Sequence, residues 1–256
     1  MLPSPELAPF IHHYWLVRWE LRAPFVADTL QHPAGRIELE EHAGSWRMQI
    51  AGVRTGRFAK QLTGVGQFFG IQFRPAAFQP LLRTHEAMAS LTDRVLPVAR
   101  ILGDEADAWA RAIRDAPTLE AKVALAEAFL VQRLPSVPAE VARMRDLVEG
   151  IAADRTLHCV ERLAERADLD HRTLQRRFRR YVGVHPKWVI QRYRLLEAVS
   201  QLGSAEPPKL AALATALGYA DQAHFQRDFK VVVGKTPGSF QASPLDPLRA
   251  SRDLRR

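Results

Sequence analysis

One pattern of apolar and basic residues occurs twice in the chain, as Leu174-Gln175-Arg176-Arg177-Phe178-Arg179 and as Phe225-Gln226-Arg227-Asp228-Phe229-Lys230. A glycine and a proline follow each copy at the same spacing, namely Gly183 and Pro186, then Gly234 and Pro237. These residues are all offset by 51 positions, whereas Leu163-Ala164 and Leu213-Ala214 upstream are offset by 50. A repeat that differs by one residue in its turn predicts two copies of a helix-turn-helix unit.

Each copy predicts a short helix, a turn and a second, longer helix. The short helices are expected at about 159–167 and 209–217, with turns at Asp168-Leu169 and Gly218-Tyr219. The longer helices are expected at about 171–181 and 222–232. Asp170 and Asp221 lie where an N-cap is needed, and Gly183 and Gly234 where a left-handed C-cap is needed.

Helical spacing divides each longer helix into an apolar face and a polar face. The predicted inward faces are Leu174, Phe178 and Tyr181 in the first copy and Phe225, Phe229 and Val232 in the second. The opposite faces carry Arg172, Gln175, Arg176 and Arg179 in the first copy and Ala223, Gln226, Arg227 and Lys230 in the second. Arg and Gln form bidentate pairs with guanine and adenine edges in the major groove.

The segment between the two copies, Lys187 to Leu202, predicts one amphipathic helix about 24 Å long. Its candidate packing residues are Trp188, Tyr193, Leu196 and Val199. A rigid helix of that length could hold two recognition helices near the ~34 Å spacing of successive major grooves.

The excess positive charge lies entirely in the C-terminal part. Residues 1–140 hold 15 Lys and Arg and 15 Asp and Glu, whereas residues 141–256 hold 21 and 13, a net charge of +8. Residues 171–194 hold eight basic residues and no acidic one. This asymmetry favours a polyanionic partner, which is a nucleic acid or a membrane surface.

The C-terminal segment resembles the DNA-binding domain of the AraC/XylS family over roughly 100 residues. That family has a Leu-Ala helix, then Leu-x-Arg-x-Phe with Gly and Pro, and a second copy with Phe-x-Arg-x-Phe-Lys and Gly-x-Thr-Pro. Gly234-Lys235-Thr236-Pro237 completes the second copy here. The departures are Asp170 in place of the usual Ser cap and Tyr219 in place of Phe.

The resemblance and the polar faces together predict the DNA contacts. Base contacts are assigned to Arg172, Gln175, Arg176, Gln222, Ala223, Gln226 and Arg227. Phosphate contacts are assigned to Arg177, Arg179, Arg180, Lys187, Lys230, Lys235 and Thr236. The alternative is that these side chains only form solvated helix faces.

The N-terminal part predicts a different architecture, so the fold class is α+β. Short β-type runs lie at Tyr14–Val17, Arg36–Leu39, Trp46–Ile50 and Gln67–Phe73, with turns at Pro33-Ala34-Gly35, Ala43-Gly44-Ser45 and Thr63-Gly64. They favour a small antiparallel sheet or barrel-like sandwich. Helices are expected at Ala106–Ile113 and Leu119–Leu134. The predicted units are residues 1–134, a linker at 135–138, the DNA-binding domain at 139–241 and a tail at 242–256.

Phe73-Arg74-Pro75-Ala76-Ala77-Phe78 and Leu91-Thr92-Asp93-Arg94 resemble the sensor domain attached to some of these regulators. The resemblance implies a β-rich domain that binds an effector or dimerises, and a cupin-like fold is one of the folds it allows. His12, His13, His32, His42 and His85 lack the spacing of a metal-binding cupin, and adjacent histidines on a strand point to opposite faces. No metal or cofactor is therefore expected. Arg36 and Arg74 suit either anion binding or structural ion pairs.

The function predicted from these features is sequence-specific control of transcription in the cytoplasm. Double-stranded DNA is the expected partner, and RNA polymerase is a second partner if the protein is an activator. Whether the protein binds a small-molecule effector or forms a homodimer through the N-terminal domain is left open. The single cysteine, Cys159, permits no intrachain disulfide, and no apolar run is long enough for a membrane span. The alternatives are a non-specific, architectural DNA binder and an enzyme with a DNA-targeting module, although no nucleophile–base pair or phosphate loop supports the enzyme.

Overall fold

The computed structural model describes residues 1–28, 30–82, 86–134, 136–154 and 156–241. An antiparallel sheet forms the N-terminal part and helices form the rest, so the α+β prediction is confirmed. The strands are β1 (Ile11–Asp28), β2 (Arg36–His42), β3 (Ser45–Ala51), β4 (Ala59–Phe73) and β5 (Val95–Pro97). Their order across the sheet is β1-β4-β2-β3-β5, and every neighbouring pair is antiparallel.

In the described ranges, three α-helices pack with the sheet and seven more follow them. They are α1 (Ala99–Leu102), α2 (Glu105–Asp115), α3 (Leu119–Val131), α4 (Ala139–Ala153), α5 (Val160–Ala167), α6 (His171–Arg177), α7 (Pro186–Leu202), α8 (Leu210–Ala216), α9 (Gln222–Val233) and α10 (Pro237–Gln241). Short 3₁₀ helices lie at Gln79–Leu81 and Met88–Leu91, and a π-helical turn at Phe178–Val182 continues α6. No described helix is long and apolar enough to cross a membrane.

The turn predicted at Thr63-Gly64 is wrong, because both residues lie inside β4. Gly64 pairs with Leu21 of β1, just where the register of β1 shifts between Leu21 and Phe25. Gly64 has a φ of 54°, which a residue with a side chain rarely adopts. The glycine therefore bends a continuous strand pair instead of ending it.

The predicted separation of His12 and His13 to opposite faces is also wrong. The register of β1 shifts between Ile11 and His13, and this irregularity brings the Nδ1 atoms of the two rings within 2.7 Å. His42 instead lies against Thr63, and His85 lies outside the described residues. Among the residues that the structure describes, no group of three or more His, Cys, Asp or Glu side chains is placed to hold a metal ion.

One face of the sheet is covered by helices and forms the N-terminal core. Side chains such as Tyr14, Ile37 and Phe69 are fully buried and belong to one cluster with residues of α2 and α3, including Ile113 and Val123. The cluster extends into α4 through Val141. The first helix of the predicted DNA-binding domain therefore packs on the N-terminal core.

The C-terminal helices form two further cores, and each contains residues from the N-terminal part. Val53 and Ala76 lie in the core of the first helix-turn-helix unit, built around Phe178. Leu30 lies in the core of the second unit, built around Phe229. The two predicted domains thus pack against each other. The boundary at 135–138 stays a prediction, and Pro135 and the tail 242–256 lie outside the described residues.

The predicted caps of the recognition helices are confirmed. The carboxylate of Asp170 accepts from the backbone N–H of Thr173 at 2.9 Å, and that of Asp221 accepts from His224 at 2.7 Å. Gly183 and Gly234 end the two helical segments with φ values of 99° and 82°. The caps therefore define both ends of each recognition helix.

A substitution at Gly52, which follows β3, tests how closely this segment packs against the Met88–Leu91 helix. A Cβ atom on Gly52 would lie 1.9 Å from the backbone oxygen of Leu91, and backbone cannot move aside as a flexible side chain can. We expect Gly52→Ala to lower the free energy of unfolding by about 3 kcal/mol in urea denaturation. The matched control is Gly56→Ala, which has nothing within 4 Å of the new Cβ. Equal stability of the two variants would contradict this packing.

The Asp170 cap predicts a pH dependence. Hydrogen bonds from the backbone and side chain of Thr173 hold the pKa of Asp170 below its ordinary value. A lowered folded pKa contributes stability above the unfolded pKa of about 4, and this contribution is lost as the pH falls through the folded value. We therefore expect Asp170→Asn to be less stable than the native chain at neutral pH, with the difference shrinking in acid. A difference in unfolding free energy that is independent of pH would be inconsistent with the charged cap.

Candidate DNA-binding surface

The first recognition helix is anchored by one buried face. Leu174 and Phe178 are fully buried, and Val182 is 1% exposed. Tyr181 is only half-buried, and it packs against both the N-terminal core and that of the first unit. Since Phe178 lies where α6 passes into the π-helical turn, its burial fixes the rotation of the whole segment.

The opposite side of α6 projects polar side chains into solvent. Arg172, Gln175 and Arg176 are exposed, and so is Arg179 in the π-helical turn. The structure shows no ion pair for Arg172, Arg176 or Arg179 within the described ranges. These cations therefore keep their hydrogen-bonding capacity for a ligand. The sequence-predicted base-contacting residues of the first unit are thus brought onto one surface.

The second recognition helix, α9, repeats this division. Phe225 and Phe229 are fully buried and pack edge to face, with their ring centroids 5.7 Å apart. Gln222, Ala223 and Arg227 are exposed, whereas Gln226 is partly covered.

Asp228 lies on the same helix, with its carboxylate 3.7 Å from the imidazole of His224. Burial, followed by the charge of Asp228, raises the pKa of Tyr219 well above its ordinary value, which keeps this phenol neutral. The second surface therefore carries a negative charge near its basic residues.

The residues predicted to contact phosphate do not share one environment. Arg179, Arg180, Lys187, Lys230 and Thr236 are exposed, and Lys235 is half-buried. Arg177 is instead paired with Glu140 of α4 at 2.7 Å. The Thr236 hydroxyl accepts from the backbone N–H of Ser239. Arg177 and Thr236 thus have structural contacts that the sequence reading did not include.

The linker helix α7 contains a buried cation that sequence reasoning missed. Arg192 is 3% exposed, and its guanidinium donates to the backbone oxygen of Thr55 at 2.8 Å and to that of Arg54 at 3.4 Å. It also lies 4.5 Å from the centre of the Trp188 ring. Burial lowers the pKa of Arg192 to about 10, so it remains charged at neutral pH. Of the predicted packing residues, Leu196 and Val199 are buried, while Trp188 and Tyr193 are half-buried.

The N-terminal part also contacts the ends of both recognition helices. The Thr92 hydroxyl donates to the backbone oxygen of Gly183 at 2.6 Å, at the end of the first segment. At the end of α9, the guanidinium of Arg57 lies close to Gly234. A Cβ atom on Gly234 would be 2.4 Å from the Nε atom of Arg57. Arg57 is held by Asp28 at 2.8 Å. These contacts join residues far apart in sequence, and no local pattern signals them.

The two ambiguous arginines of the N-terminal part both form ion pairs. Arg36 pairs with Glu38 inside the sheet, where both side chains are almost fully buried. Arg74 pairs with Glu149 of α4 at 2.7 Å and donates to the backbone oxygen of Ala8. Arg74 is therefore another contact between the sheet and the C-terminal helices.

Two family models match the chain. Residues 1–97 match a model described as a domain of unknown function (DUF6597), and residues 163–243 match a model described as a helix-turn-helix domain.

Curated relatives match parts of the chain that range from about a third to two thirds of its length. A RhaS transcriptional activator of Pectobacterium carotovorum is 33% identical over 79 residues, which are 31% of this chain and 28% of the relative. An AraC-like transcription regulator of Streptomyces antibioticus is 34% identical over 34% of this chain and 28% of its own length. RhaS of Salmonella schwarzengrund is 25% identical over 67% of this chain and 58% of its own length. The matches span less than two thirds of these relatives.

Among solved structures, ToxT of Vibrio cholerae O395 aligns over 90% of this chain and 96% of its own, at 11% identity and a TM-score of 0.46. The tandem units and their caps agree with the second family match, so the chain carries an AraC-type helix-turn-helix domain at residues 163–243, with a DUF6597 domain at residues 1–97 ahead of it.

Proposed function

We propose that this chain is a transcription regulator that reads specific DNA by placing α6 and α9 in two adjacent major grooves. The observation that carries this proposal is that α6 with its π-helical turn, and α9, each have a buried face around a phenylalanine, Phe178 or Phe229, and an outward face with Arg and Gln. Arg172, Gln175 and Arg176 are the base-contacting residues of the first unit, and Gln222, Ala223, Gln226 and Arg227 those of the second.

The phosphate contacts come from Arg179, Arg180, Lys187, Lys230 and Lys235, which flank these faces. Arg177 reaches phosphate only if it leaves Glu140, and the Thr236 side chain caps α10. A nucleic acid fits the charge better than a membrane does, because the large aromatic side chains of these segments, Phe178, Phe225 and Phe229, are already buried. The partners in transcription, including RNA polymerase if the protein activates, belong to the same proposal.

The test of specific reading is selection of bound fragments from a random DNA pool, followed by footprinting of the selected site. We expect one asymmetric site of about two adjacent major grooves, bound far more tightly than bulk DNA at moderate salt. Binding without sequence preference would support the architectural alternative and overturn the proposal.

The two units are unequal in charge, and this predicts unequal contributions. The first surface has several unpaired cations, whereas Asp221 and Asp228 oppose the cations of the second. We expect Arg176→Ala to weaken binding to the selected site by about 1–3 kcal/mol, and Arg227→Ala by less, in fluorescence anisotropy titrations. Arg111→Ala, which removes an exposed arginine from α2, is the matched control and should leave affinity unchanged. A larger loss for Arg227→Ala would reverse the ranking.

We further propose that the N-terminal domain sets how the two units are arranged for DNA. The support is that the segment from Val53 to Arg57 packs in the first unit, accepts from Arg192 of the linker helix and approaches Gly234 of the second. A preorganised arrangement binds DNA more tightly because less freedom is lost on binding.

Arg192 allows a direct test of this modulation. Arg192→Met keeps the apolar stem but removes both hydrogen bonds to the N-terminal domain, so we expect weaker binding to the selected site and faster limited proteolysis near residue 55. Arg194→Met is the matched control, because Arg194 lies on the same helix but donates to His158 inside the C-terminal part. Affinity equal to that of the native chain for Arg192→Met would argue against modulation through this contact.

A further inference from the structure

Arg177 lies on the flank of the first DNA-facing surface. It is the last residue of α6, it follows the exposed Arg176, and its side chain is 27% exposed. Arg180 is exposed three residues further on, and residues three apart are neighbours on a helix surface. An arginine at this place suits a contact with the DNA backbone beside the groove that α6 would occupy.

In the free protein the Arg177 side chain is instead held by α4. Its Nη1 atom lies 2.7 Å from the Oε1 atom of Glu140, in the first turn of α4. That carboxylate oxygen is buried, and among the described residues it accepts no hydrogen bond of regular geometry. The contact therefore depends mainly on opposite charge, and a phosphate oxygen can compete for the same guanidinium.

The carboxylate of Glu140 cannot follow Arg177 toward DNA, because α4 is fixed to the N-terminal part. Val141, the next residue, is buried in the N-terminal core. One turn further along α4, Arg145 donates to the backbone oxygen of Pro9 at 3.1 Å. A guanidinium that moves to the DNA backbone therefore leaves Glu140 behind.

The departure of Arg177 would not leave Glu140 without a cation. The Nη1 atom of Arg143 lies 3.8 Å from the Oε2 atom of Glu140, three residues away on the same helix. The Arg143 side chain is 74% exposed, so it is free to move closer to the carboxylate. The exchange thus avoids an unpaired, partly buried charge, which would be costly.

The second unit indicates that the helix-turn-helix fold does not need a cation at this position. The residue 51 positions after Arg177 is Asp228, which carries the opposite charge. Both units nevertheless form a buried core, around Phe178 in the first and Phe229 in the second. The pair of Arg177 with Glu140 is therefore a feature of the first unit that core packing does not explain.

We propose that Glu140 holds Arg177 in the free protein in place of a DNA phosphate, and that a backbone phosphate displaces Glu140 when α6 binds. The ion pair then lowers the affinity of the first unit for DNA, because it has to be broken on binding. This inference rests on the proposed function. It adds a residue, Glu140, that sets the affinity without touching DNA.

The test is fluorescence anisotropy titration of the full chain at several salt concentrations, with the selected site and with an unrelated duplex of the same length. We expect Glu140→Gln to raise the affinity for both duplexes about three- to fivefold, because it removes a partly exposed ion pair. Arg177→Gln should reduce the slope of log K against log salt by about 0.9, the value for one phosphate contact. Asp146→Asn is the matched control, because it removes one negative charge from α4 that pairs with Arg145, and it should leave affinity unchanged.

The double variant E140Q/R177Q separates the exchange from a general effect of charge. We expect it to bind like Arg177→Gln alone, because Glu140 acts only through Arg177. A gain from Glu140→Gln that persists in the double variant, or that Asp146→Asn reproduces, overturns the proposal. An unchanged affinity for Glu140→Gln, or an unchanged salt slope for Arg177→Gln, overturns it as well.

Failure of the proposed function gives a different result. Equal affinity of the native chain for the two duplexes contradicts specific reading of DNA, but a phosphate contact needs no sequence preference, so the variants still decide the exchange. A native chain that binds neither duplex overturns both proposals.

Discussion

Burial of one aromatic face on each recognition helix is the constraint on which the rest of the C-terminal structure depends. Phe178 and Phe229 occupy equivalent places in the two copies, and both are fully buried. Truncation of a buried phenylalanine costs about 3–5 kcal/mol, which is far more than any exposed charge contributes. The packed rings therefore decide how each helix is rotated, and the arginines on the opposite side are directed into solvent as a consequence.

The same burial explains how the N-terminal domain reaches both units. Val53 and Ala76 complete the core around Phe178, and Leu30 completes the core around Phe229. Arg192 donates to two backbone oxygens of the N-terminal part, at a site where an unpaired guanidinium would be costly. A displacement of the loop that carries Val53 would thus disturb both the packing around Phe178 and the hydrogen bonds of Arg192 on α7.

The sequence was sufficient for the features that depend on local spacing. The Asp170 and Asp221 caps and the glycine ends of both helices follow from neighbours a few residues apart, the repeat follows from comparing two such local patterns, and the structure confirms each of them. Thr63-Gly64 was misread because a glycine that bends a strand has the same local composition as one that ends it. His12 and His13 were misread because a shift in register is decided by pairing with β4, a strand about 60 residues away. The DNA-contacting roles of the exposed arginines stay predictions, although their placement on one side of each helix agrees with the pattern.

Contacts between distant segments account for what the sequence could not supply. Arg177 has the same local pattern as Arg176, yet Arg177 meets Glu140 because α4 packs beside the π-helical turn. Arg192 looks like one more basic residue in a basic stretch, yet its position on α7 turns it toward the carbonyl oxygens of Arg54 and Thr55. Of the eight basic residues between 171 and 194, Arg177, Arg192 and Arg194 are engaged by other parts of the chain. The net charge of that stretch therefore overestimates the number of its cations that are available to a polyanion. Exposure without an ion pair, as for Arg172, Arg176 and Arg179, is a better criterion for predicting contacts.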